Sequence, residues 1–365
     1  MKRDIASRLS CPACSSDLQL EVWRDDREEV DEGVFRCGCG EWFPVLRGIP
    51  RMLVSPHREA LLQQETEFSA RRGSLLPAWK PLEPEGHERV QRSTAESFGA
   101  QWKTFSEMRA HYEQLFHSYF DEIDVKRYRS RPVLDAGCGM GRWAVFWAAA
   151  GAEVFAVDLG SAVESAAANL RGYPGAHVIQ ADLLRLPFPE NSFDAVYSMG
   201  VLHHLPDPAA GFRAIAAHVA PAGELGIYLY YSLENRSAAH RLLLRAMQQT
   251  RRVTVRLPYG ALKALGRSLA VVFSASLIWP ARLLQKAGLP KLAAAVPLSQ
   301  YAPLDFRILN TDMVDRFGAP LERRFSRAEI SELYADAGFE EPRIPNTFPF
   351  WHAWGRKRPS ADPTS

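Results

Sequence analysis

A run of ten residues near the middle of the chain sets the expected architecture. It reads Val133-Leu134-Asp135-Ala136-Gly137-Cys138-Gly139-Met140-Gly141-Arg142. A short apolar strand ends in an acid, and glycines at alternate positions then turn the chain into a helix. Glycine takes such a turn without a Cβ penalty and lets a ligand approach the backbone closely. A dinucleotide fingerprint has glycine or alanine at the sixth place of this motif, which here is Arg142. The loop therefore predicts a nucleoside ligand without a pyrophosphate.

Two further acids end the apolar runs that follow this loop. Asp158 closes the run Val154–Asp158 and suits ribose hydroxyls, and Asp182 closes Val178–Asp182. The alternative interpretation is an ordinary tight turn with the two acids as helix N-caps, where Asp is favoured. Strands that alternate with helical stretches predict a parallel sheet with helices on both faces. Ligands bind such sheets at the carboxyl ends of the strands, where these motifs fall.

These motifs resemble those of class I S-adenosylmethionine (SAM) methyltransferases, and in particular the small-molecule and quinone methyltransferase subgroup. Further matches follow in the family's order at Leu186–Ser198, Met199–Leu205 and Pro221–Leu225, where Ala222 replaces a glycine. The matches span about residues 97–232, with a weaker echo at 323–358. The resemblance implies an α/β, doubly wound, Rossmann-like sheet of seven strands and a SAM-dependent methyltransferase activity of the general class EC 2.1.1.

The resemblance also implies which residues hold the cofactor SAM. These are Asp135, Gly137, Cys138, Gly139, Gly141, Asp158, Leu159, Asp182, Leu183 and Met199. In the family the acid after the third strand faces the adenine, which here is Asp182. Asp135 is expected to order the loop and to meet the ammonium group of the cofactor.

Three residues at the ends of the fourth and fifth strands are the catalytic candidates. They are His203, His204 and Tyr230, with Tyr231, Asp305 and Arg307 as weaker candidates. Methyl transfer from a sulfonium needs mainly orientation and exclusion of water. An oxygen or nitrogen acceptor can also need a base within hydrogen-bond reach. The alternative for each histidine is a satisfied structural residue.

Four of the five cysteines form two close pairs in the first 40 residues. They are Cys11 with Cys14 and Cys37 with Cys39. Such pairs build tetrahedral structural Zn²⁺ sites, and a ribbon this small needs the metal to fold. The segment Phe43–Leu53 resembles zinc-ribbon activator subunits of tRNA and protein methyltransferases, although the second pair is spaced by one residue rather than two. Disulfides, or His57 as a substitute ligand, are the alternatives.

The sequence predicts six segments along the chain. These are a zinc ribbon (1–56), a linker (57–96), the SAM-binding core (97–234), a basic and apolar helical cap insertion (235–310), the C-terminal part of the core (311–358) and a disordered tail (359–365). Pro77, Pro81 and Pro84 favour the linker, with one helix around Arg58–Arg71. In the phrase Ser97–Phe105, Trp102 is either a lid over the cofactor, as in related methyltransferases, or a core aromatic. The last strands are expected near Arg343–Phe348 and Trp351–Arg358.

The insertion is unusual in its charge. Residues 235–304 contain eleven Lys and Arg and no Asp or Glu, in a chain whose net charge is +2. This composition is typical of a surface that meets an amphipathic anion, such as a lipid-linked or phosphorylated acceptor or a membrane surface. The alternatives are a helical cap whose arginines pair with acids elsewhere, or RNA, although few aromatics are present to stack bases.

Composition otherwise indicates an ordinary globular protein, with 47% hydrophobic and 24% charged residues. The uncharged run Ser268–Ala281 is 14 residues long. A bilayer span takes about 20, so a buried or interfacial helix is predicted. The start has no signal-type apolar core. We therefore expect a cytoplasmic protein, with peripheral attachment at the inner membrane face as an option.

The leading functional hypothesis is a SAM-dependent methyltransferase with a small-molecule, lipid-linked or carrier-linked acceptor. The alternative is an RNA methyltransferase that grips rRNA or tRNA with the ribbon and the basic insertion. A second alternative is a non-catalytic SAM-binding platform for a partner. The intact glycines and the acids Asp158 and Asp182 argue against that platform.

Overall fold

The computed structural model describes residues 1–26, 29–78, 80, 86–104, 106–109, 111–318, 321–347 and 349–359. These residues divide into two compact units, Met1–Tyr230 with Arg327–Ser365, and Tyr231–Ser326. Phe105 of the predicted lid phrase, Phe348 of a predicted strand, Pro81 and Pro84 of the predicted linker, and residues 360–365 of the predicted tail lie outside the described residues.

The first unit is built on one sheet, which has ten strands within the described residues. The strands are Leu18–Asp26 (β1), Glu29–Cys37 (β2), Trp42–Leu46 (β3), Ile49–Met52 (β4), Pro132–Ala136 (β5), Glu153–Asp158 (β6), Ala176–Ala181 (β7), Phe193–Met199 (β8), Val219–Tyr228 (β9) and His352–Arg356 (β10). Their order is β1-β2-β3-β4-β7-β6-β5-β8-β9-β10. The strands β1 to β4 pair antiparallel with one another. From β4 through β7, β6, β5 and β8 to β9 the pairs are parallel, and β10 runs antiparallel to β9.

Helices of this unit connect and cover the strands. Numbered along the chain, they are His57–Gln64 (α1), Thr66–Arg72 (α2), Gly86–Thr104 (α3), His111–Tyr119 (α4), Ala144–Ala149 (α5), Val163–Leu170 (α6), Pro208–Ala217 (α7) and, after the second unit, Arg327–Asp336 (α13). The central strands carry apolar side chains on both faces, as at Val133, Leu134 and Val154, which are all fully buried. Strands of that kind are covered by helices on both sides. The predicted α/β, Rossmann-like fold is confirmed.

The strand count differs from the predicted seven. The part that follows residue 130 contributes six strands, β5 to β10, because the strand expected at 343–348 is reduced to a bridge between Arg343 and Trp354. Pro342 and Pro345 interrupt that segment. Proline has no N–H to donate, so it does not sustain a strand ladder.

The remaining four strands come from the cysteine-bearing N-terminal segment. Its last strand, β4, pairs in parallel with β7, with Arg51 opposite Gln180 and Met52 opposite Ala181. The Arg51 side chain is buried and donates hydrogen bonds to Gln180 Oε1 at 3.0 Å and to Glu164 Oε1 at 2.6 Å. The N-terminal segment is thus an edge of the same sheet.

Residues 57–96, where the sequence predicts a linker, hold α1, α2 and the first half of α3. The helices α1 and α2 contribute Leu62 and Phe68 to a buried cluster with the N-terminal strands. That cluster consists of Val34, Trp42, Leu46, Leu62, Phe68 and Leu76. The start of the segment therefore packs as part of the ribbon rather than as a free connection.

The second unit is helical. Its helices are Ala238–Thr254 (α8), Tyr259–Phe273 (α9), Trp279–Lys286 (α10), Pro290–Ala295 (α11) and Phe306–Gly318 (α12), with a π-helical turn Ser274–Ile278 between α9 and α10. The helix α9 packs on α12, since a Cβ at Gly266 would lie 2.8 Å from Val314 Cγ2. This unit extends beyond the insertion predicted at 235–310, because α12 packs with it.

Candidate functional site

The glycine loop follows β5 and needs glycine at three places. Gly137, Gly139 and Gly141 have φ of +88°, +54° and +78°, a region where side chains other than glycine are strained. The backbone N–H groups of Gly137 and Cys138 both donate to Val157 O, at 2.7 and 2.9 Å. A Cβ at Gly137 would lie 2.5 Å from Val201 Cγ2. The loop is thus held against β6, and its three glycines have no side chain that would hinder the approach of another group.

Asp158, at the end of β6, holds this loop from the other side. Its Oδ2 accepts from the N–H of Gly139 at 2.9 Å and its Oδ1 from the N–H of Gly160 at 2.7 Å. Burial raises the pKa of Asp158, and these two backbone hydrogen bonds oppose that rise. A carboxylate has about four acceptor positions, so acceptor capacity remains for ligand hydroxyls.

Asp135 lies beneath the loop and is buried at 1% exposure. Within the described residues, neither of its carboxyl oxygens has a hydrogen bond of good geometry. Burial raises the pKa of Asp135 to about 8, although the nearby Tyr197 hydroxyl works in the opposite direction. A buried carboxyl without a firm partner is uncommon and fits a cationic ligand.

Asp182 lies at the end of β7, on the third loop of the same sheet edge. It caps the short turn Leu183–Arg185 by accepting from the N–H of Leu184 at 2.9 Å. Gln91 Nε2 lies 3.4 Å from the same oxygen. Burial raises the pKa of Asp182. The N-cap interpretation of this residue is therefore correct as far as Oδ1 is concerned, and it leaves Oδ2 for other contacts.

The remaining predicted cofactor residues line the same edge. Leu159 follows Asp158 and its carbonyl accepts from Gln180 Nε2 at 2.8 Å. Leu183 and Met199 are buried apolar side chains at the ends of β7 and β8, and Cys138 is buried inside the loop. Burial raises the pKa of Cys138 well above its usual value, which keeps it a neutral thiol. The structure brings all ten of these residues to the carboxyl ends of β5 to β8.

The helix α3 crosses the three acid-bearing loops. A Cβ at Gly99 would lie 2.8 Å from Ser161 Oγ, and one at Gly160 would lie 2.8 Å from the carbonyl of Ala95. These close approaches, at positions four residues apart along α3, favour glycine at position 99 of the helix and at position 160 of the loop. Sequence reasoning missed α3 because it starts in the predicted linker, although the Ala95 and Gly99 spacing was a usable signal.

Trp102, on the last turn of α3, lies over the glycine loop. Its Nε1 is 3.1 Å from the position that a Cβ would take at Gly139. The guanidinium of Arg142 sits 4.9 Å from the Trp102 ring and 4.5 Å from the Trp143 ring. Arg142, the residue that breaks the dinucleotide pattern, therefore fixes the aromatic that covers the loop.

The catalytic candidates form one aromatic cluster after β8. His203 stacks on Tyr230 with 4.0 Å between ring centroids, and the His204 ring centroid lies 4.2 Å from that of His203. The ring centroid of Phe98, on α3, lies 4.9 Å from that of His204. Both histidines are buried and Tyr230 is half-buried. Their proximity to the loops is established, and their catalytic role stays a prediction.

The weaker candidates belong to the second unit. Tyr231 forms a bridge with Phe325, and Asp305 Oδ1 accepts from the N–H of Arg307 at 2.7 Å at the start of α12. Asp305 is exposed. This local cap accounts for Asp305 without a role in catalysis.

The four N-terminal cysteines form one cluster. The sulfurs of Cys11, Cys14, Cys37 and Cys39 all lie within 4.8 Å of one another. The Sγ atoms of Cys11 and Cys39 are 3.8 Å apart and those of Cys14 and Cys37 are 3.4 Å apart. Zn–S bonds of about 2.3 Å in a tetrahedron place sulfurs roughly 3.8 Å apart. The donor set and spacing are compatible with a structural zinc ion.

The one-residue spacing of the second cysteine pair does not prevent this arrangement. All five cysteines of the chain are free thiols, so the disulfide alternative is wrong for this structure. His57, the alternative ligand, is not part of the cluster; it is buried at the start of α1, where burial lowers its pKa. Four thiolates leave no open position, so this site supports the fold rather than catalysis.

Comparison with known proteins identifies the part of the chain that carries the loop. Residues 134–227 match the family model of the methyltransferase domain. This chain contains a methyltransferase domain. The matched range runs from β5 to β9 and includes the glycine loop, Asp158, Asp182 and the two histidines.

The curated relatives of this chain include proteins that are named as methyltransferases. The Probable S-adenosylmethionine-dependent methyltransferase of Mycobacterium tuberculosis is 40% identical over 100 residues, which is 27% of this chain and 35% of that protein. The Ubiquinone biosynthesis O-methyltransferase of Albidiferax ferrireducens is 38% identical over 114 residues, 29% of this chain and 42% of that protein. The match thus spans well under half the length of these two relatives.

A solved structure resembles more of the chain, but weakly. It belongs to the complex between the Haloferax volcanii Trm112 methyltransferase activator and a methyltransferase, with 16% identity and a TM-score of 0.41. It covers 72% of this chain and 98% of that chain. A likeness at this level does not bear on function.

The methyltransferase domain fits its cofactor SAM on the geometry of its own residues. Gly137 and Gly139 allow other groups to approach the loop backbone closely, and Asp158 and Asp182 offer acceptors to the hydroxyls and base of a nucleoside. Asp135 supplies a buried carboxyl for a cation. SAM carries a ribose, an adenine and two positive charges, so each of these features has a counterpart.

Proposed function

We propose that the chain transfers a methyl group from SAM to an oxygen atom of a small-molecule, lipid-linked or carrier-linked acceptor. The observation that carries the proposal is the glycine loop at the end of β5, with Asp158 bonded to Gly139 and Asp135 buried without a firm partner. The cofactor, when bound, supplies an activated methyl group on a sulfonium. The side chains around the loop would bind, orient and shield that group.

Binding and orientation fall to the acids and to α3. Asp158 would hold the ribose hydroxyls, Asp182 the adenine, and Asp135 the ammonium group. Trp102 lies over the loop and limits the access of water, which otherwise competes as an acceptor. Displacement on a methyl group depends strongly on alignment, so a fixed loop beneath a covering helix provides much of the catalytic advantage.

A proton acceptor is available beside this pocket. A hydroxyl acceptor must lose its proton as it is methylated, and His204 lies beside Phe98 of α3, within the cluster of His203 and Tyr230. A neutral imidazole near pH 7 suits that task. We assign the base to His204, with His203 and Tyr230 as groups that position it.

The names of relatives support an oxygen acceptor on a small or carrier-borne molecule. Besides the ubiquinone enzyme, a Malonyl-[acyl-carrier protein] O-methyltransferase of Pseudescherichia vulneris is 30% identical over 135 residues, 36% of this chain and 51% of that protein. These names describe those proteins. For this chain they favour O-methylation and leave the acceptor itself to experiment.

The test is an incubation of the zinc-loaded protein with methyl-labelled SAM and a cell extract, followed by separation into lipid, small-molecule, RNA and protein fractions. We expect label in the lipid or small-molecule fraction, or in the protein fraction on a carrier-linked acceptor, and none with Asp158→Ala. Label that appears in RNA and vanishes on ribonuclease treatment would favour the RNA methyltransferase. SAM binding without transfer to any fraction would favour the non-catalytic platform.

A further inference from the structure

A long helix in the second unit presents apolar side chains to solvent. Within the described residues, Gly260–Lys286 is a continuous helix of 27 residues whose length and mean hydropathy of 1.5 would suffice to cross a membrane. That mean hydropathy belongs to an 18-residue stretch of the helix, and only 22% of this stretch is buried. The core helix of a globular protein, in contrast, is mostly buried. A surface helix normally exposes polar side chains to water, so we expect a binding partner to cover this apolar face.

Six apolar residues of this helix and of the segment that follows it are well exposed. They are Val271 (53%), Val272 (56%), Trp279 (63%), Leu283 (58%), Leu289 (45%) and Leu292 (56%). Val272, Trp279 and Leu283 follow helical spacing along α9 and α10. In contrast, Leu262, Ala270 and Ala281 are buried. We call the six exposed residues the apolar stripe.

Cations are frequent in the segment of the sequence that holds the apolar stripe, and acids are absent from that segment. Residues 235–304 carry eleven Lys and Arg and no Asp or Glu. Eight of these cations are exposed and form no ion pair with any residue that the structure describes. They are Arg241, Arg245, Arg252, Arg256, Lys263, Arg267, Lys286 and Lys291. Arg251 is different, since it pairs with Glu322 at 3.3 Å.

The geometry does not suit a helix that spans a bilayer. The uncharged run Ser268–Ala281 is 14 residues, or about 21 Å at about 1.5 Å per residue, against roughly 30 Å of hydrocarbon. One side of the helix packs on the protein, as Gly266 does on Val314. Arg282 in addition donates to the carbonyls of Ala302 and Leu304, at 2.6 and 2.9 Å.

We propose that the apolar stripe and its cations form a docking surface for an anionic lipid bilayer. The helix would lie in the plane of the interface, with Val272, Trp279 and Leu283 among the lipid headgroups and acyl chain ends. Tryptophan favours that depth. Lys and Arg near an anionic surface add to that binding. In a cytoplasmic chain this surface would meet the inner face of the membrane.

A protein or a second copy of this chain is a weaker partner for the same surface. An interface of that kind tends to exclude Lys at its centre, and a second copy would bring eight like charges against eight. An anionic bilayer satisfies the apolar side chains and the unpaired cations together. This docking surface lies in the second unit alone and does not depend on methyl transfer.

The test is co-sedimentation of the full-length, zinc-loaded protein with vesicles. We expect binding to mixed phosphatidylglycerol and phosphatidylcholine vesicles, weakening as salt is raised, and little binding to phosphatidylcholine alone. The double variants Trp279→Ser with Leu283→Ser, and Arg245→Glu with Arg252→Glu, should each weaken binding at least about tenfold. All four side chains are exposed, so folding should be spared.

Matched controls come from the first unit. Leu75 is 43% exposed and Lys126 is exposed, and neither belongs to the second unit, so Leu75→Ser and Lys126→Glu should leave vesicle binding unchanged. Three results would overturn the proposal. These are no binding of the wild type to anionic vesicles, equal binding of the variants and the wild type, or protein that only detergent and not alkaline carbonate releases.

Discussion

Asp158 connects two loops and faces the predicted ribose position. Its two oxygens accept backbone hydrogen bonds from Gly139 and Gly160, so it both shapes the pocket and offers acceptors to a ligand. The sequence indicated the second task. The first is visible only in the structure, because nothing in a linear pattern shows which N–H groups a carboxylate meets.

Replacement of this side chain should therefore be severe. We expect Asp158→Ala to weaken SAM binding by on the order of 100-fold, since it removes charge-assisted hydrogen bonds to the ribose and frees the loop. Isothermal titration calorimetry measures the affinity, and circular dichroism checks the fold. Asp124→Ala is the matched control, because Asp124 also caps a short turn, by accepting from the Lys126 N–H. Equal affinities of the two variants would contradict the assignment.

Asp135 predicts a pH dependence. Burial raises the pKa of Asp135 to about 8, so without ligand the carboxyl is protonated at neutral pH. A bound cation favours the carboxylate and lowers that pKa, so SAM binding should release a proton. Affinity should then rise with pH from 6 towards about 8 and level off above it.

This coupling can be measured directly. The apparent binding enthalpies at pH 7 in phosphate and in Tris buffer should differ. The difference equals the number of protons released multiplied by the difference between the ionisation enthalpies of the two buffers. The Asp135→Asn variant should bind SAM more weakly and should lose the pH dependence. An affinity that is flat between pH 6 and 9 in the wild type would separate Asp135 from the cofactor.

At the scale of elements, α3 is the part that sequence reasoning did not foresee. The helix covers the loops after β5, β6 and β7 through Trp102, Gly99, Ala95 and Gln91. The polar, proline-bearing stretch before it suggested a linker. A helix whose apolar contacts are a few small and aromatic residues gives a weak periodic signal.

Enlarging the small residue at the contact should displace the helix. We expect Gly99→Val to weaken SAM binding about tenfold or more. The added Cβ would lie 2.8 Å from Ser161 Oγ, so the helix must repack before SAM can bind, and this repacking lowers the affinity. The control is Gly260→Val, also in a helix, where a Cβ meets nothing within 4 Å. Stopped-flow release of SAM should be faster in the first variant only; unchanged release in both would argue that α3 does not retain the cofactor.

The sequence predicted most of the core for a clear physical reason. Buried parallel strands and their glycine turns use local patterns, so β5 to β9 and the loops that carry the ten predicted cofactor residues could be placed. The last strands were harder, since Pro342 and Pro345 reduce one of them to a bridge. Ala222, which replaces a family glycine, keeps the expected left-handed turn with a φ of +62°, at a cost of about 1 kcal/mol.

At the scale of the molecule, the ribbon and the methyltransferase domain share one sheet. The pairing of β4 with β7 joins them, and β7 leads directly into Asp182. No local sequence pattern predicts that β4 and β7, which lie far apart in the chain, will pair in the sheet. The buried Arg51, with Glu164 and Gln180, indicates that this junction is a fixed part of the fold.

Removal of the metal should consequently also weaken the cofactor site. We expect about one zinc per chain by metal analysis. Chelation should lower the melting temperature by about 10 °C or more and should weaken SAM binding, because the metal supplies folding energy to the edge that supports β7. Re-addition of zinc should restore both. A metal-free protein with the same melting temperature would show that the four thiols stabilise the ribbon without an ion.

The central claim is that the glycine loop of the first unit binds SAM. The most direct measurement is calorimetric titration of the zinc-loaded wild-type protein with SAM, and separately with a nicotinamide dinucleotide. We predict one SAM site per chain and no dinucleotide binding, since Arg142 stands where the dinucleotide motif needs glycine. The absence of SAM binding, or displacement of SAM by the dinucleotide, would contradict this account.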